Sequence, residues 1–334
     1  MSASEVTRQG QRGVRPGREG RRRGRRGEQA MVPPAEFTSY YGKPVINSPV
    51  WHSPDIPGYF FLGGLAGASS LLGAGAQATG RPALARAAKA GALGAISLSL
   101  VGLVHDLGRP TRFLNMLRVV KVTSPMSVGS WILAGYVPAA GVAAAAALTG
   151  RVPRLGTAAT VAAALAGPAV AAYTAVLVSD TAVPAWHDGH RELPFVFTGS
   201  AAMAAGGLGL LAAPAGQNAP ARNLALLGAG AETVAFELMT RRMGMVAEPY
   251  SAGRAGAYLR VSQMLSAIGA TGALLGRRSR TVSALAGAAL LGASAATRWA
   301  VFHAGLASAA DPKYTVVPQR LRRDADRAAS AEAG

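Results

Sequence analysis

The sequence predicts an all-α integral membrane protein with eight transmembrane helices. Half of its 334 residues are hydrophobic and 15% are charged, a balance that Ala- and Gly-rich soluble proteins also show. Segment length decides between the two classes, because a helix needs about 20 mainly apolar residues to cross roughly 30 Å of hydrocarbon. Eight runs in the chain meet this requirement, and the joins between them are short.

The eight runs divide the chain into three parts. A polar tail covers residues 1–36, the membrane domain covers 37–310, and a second polar tail covers 311–334. Gly108 and Pro110 stop the second run, and Pro138 and Pro168 interrupt the third and fourth. In order, the runs span about 57–77, 87–107, 125–148, 157–179, 193–213, 223–243, 255–275 and 282–306.

Nine of the 34 lysines and arginines lie in the N-terminal tail, outside the membrane domain, and we predict no nucleic-acid partner for the net charge of +18. Between Arg8 and Arg26 the sequence is low-complexity Arg and Gly, which is too hydrophilic to order itself. No apolar segment directly follows its arginine pairs, so it does not fit a twin-arginine export signal. Met31 is an alternative start that would remove this tail.

The chain contains no cysteine. This excludes iron–sulfur clusters held by the protein, disulfides and thiolate-bound metals, and we predict no other metal site. A redox role therefore requires a bound diffusible carrier or a haem.

If the eight runs cross the membrane in order, most of the titratable and aromatic side chains lie on one side of the membrane. We call face A the side that holds both termini and the joins after runs two, four and six, and face B the opposite side. All five histidines, all four tryptophans and most acids of the membrane domain fall at or near face A. The charged residues in the joins of face B are all basic. This sorting predicts that protons and a ligand are handled at face A. Exclusion of acids from cytoplasmic joins and aromatic anchoring explain part of the pattern.

Glu232, Glu237, Arg260 and Arg298 lie well inside their runs, where an ionisable group is costly and is usually paired or functional. Glu237, Arg260 and Arg298 lie at similar depths below face A, so one layer can hold all three. They form either an internal salt bridge or, with the deeper Glu232, a proton route. Glu232 has no obvious partner at its depth and is the better relay candidate.

His105 and Asp106 end the second run at face A. Such a pair can exchange protons near neutral pH, or it can simply cap the helix. Arg112, Arg118 and Lys121 follow at helical spacing, which predicts an amphipathic segment lying in the interface that binds lipid or an acidic partner. At the end of run four, Tyr173 and Asp180 precede Trp186 and His187. A buried Tyr173 needs a hydrogen-bond partner, from a ligand or from a neighbouring helix.

The chain resembles the NrfD/polysulfide-reductase-type membrane anchor subunits of molybdopterin oxidoreductases, such as polysulfide reductases and formate dehydrogenases. The resemblance covers about residues 40–320. It rests on several segments, listed here in chain order: 58–64 (GYFFLGG), 106–110 (DLGRP), 112–113 (RF), 124–127 (SPMS), 129–131 (GSW), 179–186 (SDTAVPAW), 193–195 (LPF), 302–304 (FHA) and 308–314 (SAADPKY).

The resemblance implies two four-helix halves and a quinone or quinol bound near face A. Electrons then pass between the quinone pool and a four-cluster, ferredoxin-like iron–sulfur subunit, which serves a molybdopterin catalytic subunit, while this chain handles protons. The implied quinone site consists of Tyr59, His105, Asp106, Tyr173 and Asp180, with Arg109 supporting the loop. The proton route consists of Glu232, Glu237, Arg260 and Arg298, and the docking surface of Arg112, Arg118, Lys121, Trp186 and His187.

Three alternatives remain open. His105 and His303 are the histidines within the runs, so one b-type haem between them is the first. The second is a secondary transporter, although carriers usually keep their site at the midplane. The third is a pure assembly anchor that binds no ligand. The basic joins of face B predict a multi-pass protein of the plasma membrane with both termini outside.

Overall fold

The computed structural model describes residues 6–7, 10–11, 44–109 and 111–332. Contacts divide the chain into two units, 1–45 and 46–334. In the first unit, β1 (Val6–Thr7) pairs with β2 (Gly10–Gln11) in an antiparallel arrangement, with Val6 opposite Gln11. The remainder of the predicted disordered tail and the alternative start Met31 lie outside the described residues.

The second unit consists of two four-helix bundles, as the resemblance implies. The first bundle contains α1 (Asp55–Ala78), α2 (Pro82–Asp106), α4 (Pro125–Thr149) and α5 (Pro153–Ser179). The second contains α7 (Leu193–Ala212), α8 (Ala219–Met243), α10 (Gly253–Leu275) and α11 (Arg280–Ala310). Within each bundle every helix packs against two others, and α1 and α7 form the main contact between the bundles.

Short helices occupy the connections at face A, and a longer helix ends the described chain. α3 (Arg112–Met116) follows α2, α6 (Pro184–His187) follows α5, and α9 (Glu248–Ser251) precedes α10. The 3₁₀ turns Gly244–Ala247 and Gly276–Arg278 and the C-terminal α12 (Lys313–Glu332) complete the described elements.

Close helix crossings in the bundles depend on small residues. Gly67 of α1 and Gly167 of α5 meet backbone to backbone, and a Cβ built on either glycine would overlap the carbonyl oxygen of the other. The next residue, Pro168, lies inside α5 without ending it. Small residues at such a crossing are typical of helix packing in membranes, where close backbone approach supplies the attraction.

Six of the described helices are long and apolar enough to cross a membrane: α1, α2, α4, α5, α7 and α11. The sequence predicts eight, so this prediction is confirmed only in part. α8 and α10 have comparable length but are less apolar, since α8 carries Glu232 and Glu237 and α10 carries Arg254 and Arg260.

α12 is attached to the second bundle at face A. Lys313 Nζ lies 2.6 Å from Glu248 Oε2, and the Tyr314 hydroxyl donates to the same carboxylate at 3.3 Å. The Lys313 ammonium lowers the pKa of the Glu248 carboxyl, so this carboxylate is charged at neutral pH. The polar C-terminal segment therefore begins with an ion pair to α9.

Candidate functional site

Two His–Asp pairs join the start of α1 to the end of α2 at face A. His105 Nδ1 lies 2.8 Å from Asp55 Oδ2, and His52 Nδ1 lies 3.2 Å from Asp106 Oδ1. The backbone N–H of His52 also donates to Asp106 Oδ1, at 3.1 Å. The predicted pairing of His105 with its neighbour Asp106 is therefore wrong, because each of these side chains reaches across to the other helix end.

A cavity of about 340 Å³ opens beside these pairs, inside the first bundle. It lies where α1 and α4 begin and α2 and α5 end, so all four helices contribute to its wall. Its volume falls in the range of small-molecule sites. The polar residues of its wall are Tyr59, Asp106, Arg112, Ser130 and Tyr173, and the apolar ones include Trp51, Ile56, Phe60, Leu103, Met126, Leu133 and Leu177.

Tyr173 is the most informative residue of this wall. It is 8% exposed, and its hydroxyl is buried with no hydrogen-bond partner among the described residues. Its ring packs edge-on to Tyr59, with 6.4 Å between ring centroids. A buried polar group left unpaired costs about 1–3 kcal/mol, so an unpaired hydroxyl at a cavity indicates a ligand that completes the bond.

Gly129 of α4 makes room for the Tyr173 ring. A Cβ built on Gly129 would lie 2.6 Å from Tyr173 Cδ2 and closer still to Cε2. Because the backbone fixes the position of a Cβ, only glycine at position 129 permits this position of the Tyr173 ring. The segments SPMS and GSW therefore contribute a glycine as well as the wall residues Met126 and Ser130.

The second carboxylate oxygen of Asp106 receives no hydrogen bond from the described residues. Both contacts from His52 use Oδ1, and no donor among the described residues reaches Oδ2. The side chain is 12% exposed, whereas that of His52 is 75% exposed. Asp106 thus lies between the cavity and an imidazole that is open to solvent.

The structure brings together only part of the predicted quinone set. Tyr59, Asp106 and Tyr173 line the cavity, but His105 does not, and its side chain is 77% exposed. Asp180 is exposed after the end of α5 and also lies outside the cavity wall. These two residues were selected because they are near helix ends, and sequence proximity to face A does not reveal the direction of a side chain.

The segment between α2 and α4 is less regular than its spacing predicts. Only Arg112–Met116 is helical, so Arg118 and Lys121 lie in a loop and not on the polar face of a helix. Both are exposed, as the docking prediction requires. The side chain of Arg109 makes no hydrogen bond within the described part of the chain, so the predicted support of the loop is not observed.

Trp186 is fully buried and cannot contribute to a docking surface, which corrects that prediction. Its ring stacks on Trp51, with 5.4 Å between centroids, and its indole Nε1–H donates to the carbonyl of Val301 at 2.8 Å. His187, one residue further on, is exposed as predicted. Trp51 contacts both Trp186 and the cavity, so these rings connect the cavity wall to α11.

The structure does not bring Glu237, Arg260 and Arg298 together in the predicted layer. Glu237 pairs with Arg241 at the surface, at 2.7 Å, and Arg260 is exposed. Glu232 and Arg298 are buried in the second bundle, where the Thr297 hydroxyl donates to Glu232 Oε1 at 2.5 Å. Glu232 therefore has a partner, contrary to the prediction.

Arg298 is held by different groups from those predicted. Its Nη2 donates to the carbonyl of Phe197 at 2.7 Å, and its guanidinium carbon lies 3.8 Å from the centroid of the Phe197 ring. Its Nε and Nη1 are buried with no partner among the described residues. The predicted proton-route residues thus divide into a buried pair, Glu232 and Arg298, and two surface residues.

The two histidines considered for haem lie in different surroundings. His105 pairs with Asp55 in the first bundle, whereas His303 stacks on Tyr258 of α10 with 5.5 Å between ring centroids. Across the described residues, no group of three or more His, Asp or Glu side chains could hold a metal ion.

Sequence reasoning missed two partners and several wall residues. His52 and Asp55 were noticed only as members of face A, and their pairing with α2 was not predicted. Ser130, Met126 and Leu133 of α4 were missed because their run contains no charged residue. The sequence did contain a signal for the His52–Asp106 contact. Trp51 and His52 precede the first run, at the same face of the membrane as the polar end of the second run.

Comparison with known proteins gives one result. A family model described as "Polysulphide reductase, NrfD" matches residues 44–255, more than half of the 334-residue chain. The match covers the whole first bundle with its cavity, then α6, α7, α8 and α9, and ends at the start of α10. A search of curated proteins found no match. The chain therefore belongs to the NrfD polysulphide reductase family.

Proposed function

We propose that this chain binds a quinone or quinol in the cavity of the first bundle, as the membrane anchor of a molybdopterin oxidoreductase complex. The observation that carries the proposal is the unpaired, buried Tyr173 hydroxyl at a largely apolar cavity. A quinone has an apolar ring and polar oxygens on opposite edges, so it needs apolar walls with a few placed polar groups.

The wall residues fit such a headgroup. Tyr59, Phe60 and Leu133 supply apolar surface, and the Tyr173 hydroxyl is a donor for one ring oxygen. Asp106 and Arg112 supply an acceptor and a cation at the face A end. When bound, a quinol supplies two electrons and two protons.

Asp106 and His52 are the groups that can hold and pass on a proton at this end. Asp106 accepts the proton through Oδ2, which has no donor among the described residues, and His52 Nδ1 contacts Oδ1 while its ring is open to solvent. Carboxylates and imidazoles commonly transfer protons in this way. This pair replaces the predicted His105–Asp106 pair in the proposal.

Family membership supports an anchor role for the whole chain, with an iron–sulfur subunit and a molybdopterin catalytic subunit as its partners. We place the docking surface at face A, where Arg112, Arg118, Lys121 and His187 are exposed. Electron transfer between a quinone and an iron–sulfur cluster requires a short distance, and the docking surface and the cavity both lie at face A.

The proposal includes eight membrane crossings. α8 exposes Leu227, Val234 and Leu238, and α10 exposes Met264 and Ile268, each at more than half of full exposure. Apolar side chains on the outside of both helices suit contact with lipid. Glu232, buried between α8 and α11, remains our candidate for a proton relay in the second bundle.

We expect Tyr173→Phe to weaken quinone binding by roughly threefold to tenfold, because it removes one hydrogen bond. The measurement is quenching of tryptophan fluorescence in the purified full chain during titration with a soluble quinone analogue, since Trp51 lines the cavity. Tyr258→Phe, in the second bundle, is the matched control and should bind as the wild type does. Equal affinity of all three proteins would contradict the proposed site.

The orientation of the chain is testable because it has no cysteine. With face A outside, a membrane-impermeant maleimide added to intact cells should label His190→Cys and leave Arg277→Cys unlabelled. Both positions are exposed, on faces A and B respectively. Labelling of both after cell lysis is the control, and the reverse pattern in intact cells would place both termini inside.

A further inference from the structure

A second cavity of about 350 Å³ lies at face B of the first bundle, at the end opposite the quinone cavity. It is enclosed by the turn between α1 and α2 and the turn between α4 and α5. Arg81, Arg86 and Lys89 contribute three cations to its wall, and no carboxylate lines it within the described residues. Its electrostatic potential is therefore positive.

Lys89 is the unusual member of this wall. It is 6% exposed and lies about 10 Å along α2 from the start of that helix at Pro82. Its ammonium donates to Gln77 Oε1, and Gln77 Nε2 donates to the Thr157 hydroxyl at 3.2 Å. Gln77 is neutral, so this buried cation has no counter-charge in the described structure. A buried charge is normally paired, because desolvation is expensive.

Two helix starts reinforce the attraction for an anion. α2 begins at Pro82 and α5 begins at Pro153, and both prolines line the cavity. The first turn of a helix carries a partial positive charge. Pro82 has no N–H and the Ala83 N–H already donates to Gln217 Oε1 at 2.8 Å, so α2 attracts an anion through its dipole. Arg86 is exposed and makes no hydrogen bond within the described segments, so its guanidinium is available to a ligand.

The remaining wall indicates what the anion is attached to. Ala143, Ala146 and Ala147 of α4 form an apolar part of the same wall. A free inorganic anion makes no favourable contact with an apolar surface, whereas an acyl chain attached to a phosphate packs against it. Basic cavities between transmembrane helices are suited to anionic headgroups.

We propose that this cavity binds the phosphodiester headgroup of an anionic phospholipid. Lys89 and Arg86 contact the phosphate oxygens, the starts of α2 and α5 face the same anion, and the α4 alanines contact an acyl chain. This site does not depend on the proposed quinone site, and it gives the buried Lys89 its counter-charge.

Native mass spectrometry of the full-length chain, purified in a neutral detergent, tests the proposal. Phosphatidylglycerol is titrated into the wild type, Arg86→Gln and Lys89→Gln, with phosphatidylcholine as the zwitterionic comparison. We expect one phosphatidylglycerol to be retained and the binding to weaken by about tenfold in each variant, since a charge-assisted contact is lost. Lys89→Arg should retain binding.

Arg277→Gln is the matched control, because it removes an exposed cation of face B away from the cavity. It should bind phosphatidylglycerol as the wild type does. Arg86 is exposed, so Arg86→Gln remains informative if Lys89→Gln fails to fold. Equal retention by wild type and Arg86→Gln, or equal retention of phosphatidylcholine, would overturn the proposal. Displacement of the lipid by millimolar inorganic phosphate would assign the site to free phosphate instead and would overturn the lipid assignment.

Discussion

Asp106→Asn should lower quinol-linked turnover of the assembled complex by about 100-fold, the lower end of what a positioned acid or base contributes. The substitution keeps the shape of the side chain and an oxygen that can still accept from the His52 N–H. It removes the negative charge and the capacity to take up a proton. Binding of a quinone analogue should change much less than turnover, because Asp106 is only one residue of the cavity wall.

Asp180→Asn is the control for this experiment. Both acids end a helix at face A, and the sequence assigns both to the same site, but only Asp106 lines the cavity. Asp180→Asn should therefore retain turnover near that of the wild type. Unchanged turnover in Asp106→Asn with normal assembly, or an equal loss in both variants, would show that the cavity is not where quinol is oxidised or formed.

Gly305→Ala should destabilise the protein and lower its apparent melting temperature by roughly 3–6 °C, because overpacking a filled core costs about 1–3 kcal/mol. A Cβ built on Gly305 would overlap the indole ring of Trp186, which is fully buried. The ring has little freedom to move, since it stacks on Trp51 and donates to the carbonyl of Val301.

The measurement is thermal unfolding of the purified chain in detergent. Samples are heated to a series of temperatures, and the folded fraction that remains is measured by size-exclusion chromatography. Gly141→Ala is the matched control, since Gly141 is also inside a helix but a Cβ there meets nothing within 4 Å. Alanine favours helix more than glycine does, so this control should be as stable as the wild type or slightly more so. A melting temperature for Gly305→Ala at or above that of Gly141→Ala would contradict the packing around Trp186.

The candidate site was predicted in part, and the successes and failures have a common cause. Tyr173 was selected because a polar aromatic side chain in an apolar run needs a partner, whichever way the helix turns, and Tyr59 was selected from the family resemblance. His105 and Asp180 were selected for their acid–base chemistry and for their position at helix ends near face A. Depth follows from residue number, but the direction of a side chain follows from the rotation of its helix about the axis.

The buried charges show the same limit. Residue counting correctly placed Glu232, Glu237, Arg260 and Arg298 inside helices of the second half. It did not distinguish the buried pair from the two surface residues, and it did not predict that Thr297 and Phe197 bind that pair. Both contacts join residues more than 60 positions apart in the chain.

By itself, the sequence determined the helical class, the approximate bounds of the eight long helices and the concentration of histidines, acids and tryptophans at face A. These properties depend on run length and on the position of a residue along its run. Only the tertiary structure decided that His52 pairs with Asp106 and His105 with Asp55, that Trp186 is buried, and that two cavities lie at opposite ends of one bundle. The physical reason is that the runs are rich in Ala and Gly and apolar on every side, so no amphipathic pattern specifies their rotation. Small-residue contacts such as that of Gly67 with Gly167 set it instead.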